Sequence, residues 1–156
     1  MSVKPLSIRE TEKSSESITV EEKFESKEWE DFVEKAVNGT LYHTLRFLSY
    51  HPQGRFQHHH IVFRRKGNLI GIFPGAVREE NGEKFWISHP GASYGGPAWL
   101  PKLKYHHLEE MIANLVSYAE SKGFSAIRIT LPPVIYNPYP EQAIDFALWR
   151  NGFHIV

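Results

Sequence analysis

Residues 88–101, SHPGASYGGPAWLP, combine serine, histidine and tyrosine with three glycines. Gly91-Ala92-Ser93-Tyr94-Gly95 matches the Gly-x-Ser-x-Gly pattern of serine hydrolases, and Asp145 and His154 follow in the hydrolase order. A serine nucleophile of that kind stands on a sharp turn between a parallel strand and a helix, with its partners on loops at strand ends. The surrounding sequence does not supply this. Pro97 and Pro101 separate Ser93 from the next helical pattern, Asp145 falls within a helical pattern, and His154 falls within strand-like residues. A second chemistry is a phosphate cradle, in which glycine amides and a helix N-terminus face an anion. Neither the dinucleotide fingerprint nor the P-loop spacing is present, because no Gly-Lys-Ser/Thr follows the glycines. A third reading is structural: Gly91, Gly95 and Gly96 let the chain take positive φ in an irregular crossing. The binding and structural readings both stay open.

The histidines raise metal chemistry. In QHHHIV alternate residues share a strand face, so His58 and His60 project together and His59 points away. Two imidazoles start a zinc site, but no third ligand is identifiable, and no metal is expected. Tyr94 and Trp99 in one loop, and Tyr136 and Tyr139 in LPPVIYNPYP, each follow a strand pattern, where α/β sheets place ligands. If the strands of Ile87 and Ile129 are neighbours, the two loops converge on one cleft. Alternatively the rings pack the loops down, which suits Trp99 better than Tyr94.

The elements that must position these residues follow from periodicity. Residues 1–15 are polar and read as a disordered tail; residues 16–156 read as one domain. SITVEEKF suits a strand. Ser26 is placed to cap a helix with Trp29, Phe32, Val33, Ala36 and Val37 on one face, closed at Asn38-Gly39. A short helix over TLRFLSYH stops before Pro52. HHHIVFRRK, LIGIFPGAVRE and EKFWISH, joined at Gly67-Asn68 and Asn81-Gly82, predict an antiparallel meander. Leu108, Met111, Ile112, Leu115, Val116 and Ala119 mark a long helix ended by Gly123. SAIRITL is a strand, PEQAIDFALWRNGF a helix with a Gly152 stop, and HIV reads as the opening of a further strand. The fold class is α/β of the α+β type: a mixed sheet with an antiparallel meander and flanking helices, incomplete at the C-terminus. Its open edge is a template for self-association or for a partner strand.

Composition narrows the partners. Lys plus Arg and Asp plus Glu are each 18, so no global field draws the chain to DNA. There is no cysteine, which removes disulfides, thiolate metal sites and a thiol nucleophile. No apolar run is long enough for a membrane span and no secretory h-region opens the chain, so a cytoplasmic protein is expected.

The segments HTLRFLSYHP (43–52), SHPGASYGG (88–96) and LPPVIY (131–136), in this order, resemble a bacterial FemAB-like branch of the GNAT acyltransferase superfamily, from about Trp29 to Phe153. The predicted element order is also similar to a GNAT domain. The resemblance implies acyl or aminoacyl transfer to an amine, by a chain with two GNAT-like halves of which this is the first. It implies a peptidoglycan or other cell-wall precursor as acceptor, with aminoacyl-tRNA or acyl-CoA as donor through the other half and no cofactor required by this chain. GNAT enzymes hold the acyl-CoA pyrophosphate with Gln/Arg-x-x-Gly-x-Gly/Ala. SHPGASYGGPAWLP occupies that place and departs from the pattern, while Arg64-Arg65-Lys66-Gly67-Asn68-Leu69 ends in Leu and lies in a hairpin. The expectation is a reshaped loop lining an acceptor cleft: His89, Ser93, Tyr94 and the amides of Gly95 and Gly96, with Tyr136 opposite. His89 and His43 are candidate bases, though the resemblance assigns no base to either position. The alternative is a non-catalytic, degenerate GNAT-fold binding or assembly module.

Overall fold

The computed structural model describes residues 16–138 and 141–156; the expected tail at 1–15 and Tyr139 lie outside the described residues. The fold is a mixed α/β arrangement of two four-stranded sheets with helices against them. Strand β1 (Ile18–Glu21) leads to α1 (Ser26–Lys35), whose stripe of Trp29, Phe32 and Val33 is buried. Ser26 does not cap it. Glu25 holds the N-cap position, without a side-chain bond. The helix also ends before the expected Asn38-Gly39, because Ala36 is extended (ψ 148°) and the chain is drawn onto residues 97–99. There Val37 N–H donates to Trp99 O at 2.8 Å and Asn38 Nδ2 to Pro97 O at 2.9 Å. The next predicted helix, over 44–51, is shortened to α2 (Leu45–Leu48), where Thr44 Oγ1 accepts from Phe47 N–H, and a 3₁₀ turn (Leu41–His43) precedes it.

The meander forms, but it belongs to two sheets. Strands β2 (Gln57–His58) and β3 (Ile61–Arg65) are one run broken at His59-His60. Opposite the break, β4 (Asn68–Phe73) and β5 (Gly75–Glu80) are one run broken at Pro74. Proline has no N–H to give a ladder, so β3 and β4 pair in one sheet while β2 and β5 pair in the other. The sheet orders are β1-β3-β4-β7 and β2-β5-β6-β8, with β6 (Glu83–Ser88), β7 (Ala98–Trp99) and β8 (Ala126–Arg128). The first hairpin turns at Lys66-Gly67 (φ 52° and 76°), one residue earlier than expected. The second turns at Asn81-Gly82 as the sequence implied.

Alternation along β3 and β4 sets the layers. Val62 and Ile72 pack on α1, whereas Ile61, Phe63 and Phe73 face α3 (Tyr105–Ser121) through Met111, Ile112 and Leu115. Helix α4 (Ala143–Arg150) adds Ile144, Ala147 and Leu148 to this second core. Residues 154–156 make no strand, so the expected strand opening is absent among the described residues. β8 is the outer strand of its sheet. No described helix is long and apolar enough to cross a membrane.

Candidate functional site

β6 and β8 run parallel, with Ile87 opposite Arg128, so the loops that leave their C-terminal ends lie side by side. Ser88 Oγ accepts from Thr130 N–H at 2.8 Å, and Thr130 O accepts from Gly95 N–H at 2.7 Å. The loop is thereby sewn to the chain that continues β8. The Gly95 amide is committed to this seam and is not offered to an acceptor, contrary to expectation. Gly96 is needed for geometry: its φ is +88°, and an ideal Cβ would sit 2.8 Å from Ile129 Cγ2 and 3.1 Å from Leu131 Cδ2. Gly96→Ala is expected to cost about 2 kcal/mol, read from the urea midpoint; an unchanged midpoint would show that the seam yields freely.

Above the seam the rings meet. Tyr94 stacks on Tyr136 (centroids 5.6 Å apart, planes 24°) and meets the edge of Tyr42 at 4.7 Å. Desolvation, followed by the neighbouring phenols of Tyr136 and Tyr42, raises the Tyr94 pKa. Ser93 is exposed, and its hydroxyl donates to Tyr42 Oη at 3.3 Å. The partner of Ser93 is a phenol, not an imidazole, so no general base activates it in this geometry. Asp145 lies on α4, and His154 lies beyond it outside any strand. Trp99 is 3% exposed, a core residue as its packing reading implied.

Beneath the loop lies an imidazole cluster whose tautomers are dictated by the backbone. Gly91 N–H donates to His89 Nδ1 at 3.2 Å, leaving the proton of neutral His89 on Nε2, which donates to His58 Nδ1 at 2.9 Å. His58 then carries its proton on Nε2. Gly91 O accepts from His51 Nε2–H at 3.0 Å, and Gly75 N–H donates to His60 Nδ1 at 3.1 Å. The rings of His51 and His58 flank His89 at 6.2 and 4.9 Å. Gly91 is clamped at both ends of its own residue, and a Cβ there would stand 2.3 Å from His51 Nε2. His58 and His60 do come together, at 5.2 Å. The further imidazole is His89, far along the chain. Yet His58 Nδ1, His60 Nδ1 and both nitrogens of His89 are engaged with one another or with amides, and among the described residues no group of three or more His, Cys, Asp or Glu is arranged for an ion.

The two candidate bases differ. His43 is 0% exposed; its Nδ1 lies 2.9 Å from Thr40 Oγ1 and 3.2 Å from Thr40 N, and its Nε2 has no hydrogen-bond partner. Burial pushes its pKa down to about 4, with the nearby Gly96 backbone acting weakly the other way. No acceptor outside the core reaches this ring. His89 is 1% exposed and burial, then His58 and His51, push it down to about 4. Its Nδ1 is held by the Gly91 amide and its Nε2 proton by His58, so this ring has no free lone pair with which to take a proton from an acceptor. Tyr42, His51 and Phe56 were missed by sequence reading; the first two stand within or beside the segment LYHTLRFLSYH, whose aromatic and histidine density was the available signal.

Two depressions border these elements. An open groove of about 490 Å³ at the β1–α1 junction contains Arg64, but its guanidinium is bidentate to Glu28 (2.7 and 2.7 Å) and also bonds Glu21, leaving no charge for a ligand. A crevice of about 40 Å³ opens between Asn38, Trp99, Leu131 and α4.

No protein-family model matches the chain, and no curated protein is significantly similar to it. Among solved structures the chain is similar to TTHA1254 from Thermus thermophilus, both the wild type and a point mutant. TM-scores are 0.55 and 0.56 at 12% identity, over 88% of this chain and 90% of that one. At this identity the likeness is one of fold.

Proposed function

We propose that the chain is the acceptor-binding, N-terminal half of a FemAB-like N-acyltransferase of the cytoplasm, acting on an amine of a peptidoglycan or other cell-surface precursor. The observation that carries this reading is the convergence of two aromatic loops at the C-terminal ends of the parallel strands β6 and β8, where Tyr94 stacks on Tyr136. Open α/β sheets bind ligands at such ends. The departure of residues 88–101 from a pyrophosphate loop, together with the engaged Gly95 amide, favours an acceptor there over a phosphate donor. The chain would contribute position more than proton transfer: holding an amine in line with an acyl carbon supplies much of such a rate.

The test is calorimetric titration with a soluble peptidoglycan precursor bearing a free lysine amine. Tyr94→Ala, with its circular dichroism intact, is expected to weaken binding about tenfold, the value of a stacked aromatic contact. Equal affinity in the variant removes the reading. A wild-type chain that binds no precursor but self-associates would support the assembly module instead, a reading favoured by the exposed residues Ala126 and Arg128 on outer strand β8.

A further inference from the structure

The crevice beside α4 is small and its chemistry is one-sided. Asn38 is 4% exposed, and its Nδ2 donates to Pro97 O at 2.9 Å, which fixes the orientation of the amide. Asn38 lines the crevice, and its Oδ1 is a buried acceptor with no hydrogen-bond partner. Leaving such an oxygen unmet costs about 1–3 kcal/mol, so the site calls for a donor. The walls supply the rest of the specification. Trp99, Leu131 and Ile144 are apolar, Glu141 and Asp145 bring carboxylates, and among the described residues the lining contains no lysine, arginine or histidine. Glu141 uses Oε1 to accept from Ala143 N–H, which holds it at the start of α4.

We propose that this crevice is a headgroup subsite for a primary alkylammonium ion, donating to Asn38 Oδ1 with its charge set against Asp145 and Glu141. Its volume of about 40 Å³ suits a group the size of one water molecule, roughly 30 Å³. An anion meets two carboxylates, and a neutral alcohol satisfies the amide but leaves the charges unused. The methylene stem of the ligand lies against Leu131 and Ile144. Leu131 also abuts Gly96, two residues after Tyr94 in the first tyrosine loop. On the acyl-transfer reading, on which this last step rests, the bound amine is a recognition handle of the acceptor. An ammonium held by carboxylates is protonated and not nucleophilic, so the nitrogen that reacts is a different one.

The experiment is an NMR titration of the full chain with n-propylammonium chloride, n-propanol and sodium propionate. Propylammonium is expected to shift the Asn38 side-chain amide and the Leu131 and Ile144 methyl resonances saturably, with a Kd on the order of 1–10 mM for so few heavy atoms. Asp145→Asn, a change at an exposed helix position, should keep the spectrum of the folded chain and raise that Kd about fivefold, the value of one partly screened charge. Asn38→Leu should abolish the shifts. The proposal is overturned if propylammonium gives no saturable shift, if propanol shifts the same resonances equally, as a water-filled gap would allow, or if Asp145→Asn binds as the wild type does. Ammonium binding with an inert Tyr94→Ala would remove only the acyl-transfer reading. The converse result would remove only the subsite.

Discussion

Moving the protein from about pH 7.5 to about pH 5 should lower its unfolding free energy by about 4 kcal/mol. Three imidazoles set this expectation. Burial holds His43 near 4, His60 near 3 and His89 near 4, against 6.5 for each in the unfolded chain. Above 6.5 all three are neutral in both states and their contribution is complete. As the pH falls from 6.5 toward 3–4, the unfolded chain takes up protons that the folded chain refuses, so stability is lost through that window. Each group alone would contribute roughly 2 kcal/mol at pH 5; the sum is discounted because His60 and His89 also act on each other. Carboxylates do not confuse the reading. Glu22, bonded to Lys122 and Tyr118, and Glu28, bonded to Arg64, are held below their usual 4.5 and give way only in stronger acid. Urea unfolding at the two pH values measures the difference. A midpoint that stays put would mean that the imidazoles are solvated, and the clamp on Gly91 with them. His60→Gln should flatten the pH dependence by about a third.

That cluster also shows where sequence reading stops. Strand alternation placed His58 and His60 on one face, and they are neighbours. Nothing local linked them to His89 or His51, because those contacts are made by a loop returning after two hairpins. The long helix was legible since its buried face, Leu108, Met111, Ile112 and Leu115, repeats at the helical period and Gly123 ends it at φ 75°. The convergence of the Tyr94 and Tyr136 loops was legible as a condition, and the parallel pairing of β6 with β8 meets it. The division into two sheets was not. LIGIFPGAVRE reads as one strand, whereas its Pro74, facing the break at His59-His60, sends the halves of both strands to different sheets. Ser26 failed as a cap for a similar reason. Composition identifies residues able to cap, but only the path of the chain decides which residue stands outside the helix.

Gly75→Ala is expected to destabilise the protein by about 3–4 kcal/mol, the range of severe overpacking. An ideal Cβ at Gly75 would lie 2.2 Å from Trp86 Nε1 and 2.9 Å from His59 O. Neither neighbour yields cheaply. Trp86 is 0% exposed, stacks on Phe124 at 5.4 Å and meets the edges of Phe73 and His59. Its indole N–H donates to His59 O at 2.9 Å, and the His59 backbone is in turn held by Gly75 O at 2.8 Å. A methyl group at position 75 would therefore press on the break where both strand runs leave one sheet for the other, and on the amide that His60 accepts from. The variant should lose its urea midpoint together with the upfield methyl shifts produced by the Trp86 ring. If the midpoint fell by less than about 1 kcal/mol, the junction would be pliable. The tyrosine loops and the Asn38 crevice lie on β6, β8 and the strands that this junction sets in place. A pliable junction would leave their convergence an adjustable feature of the fold, and a rigid one makes it a fixed framework on which an acceptor can be held.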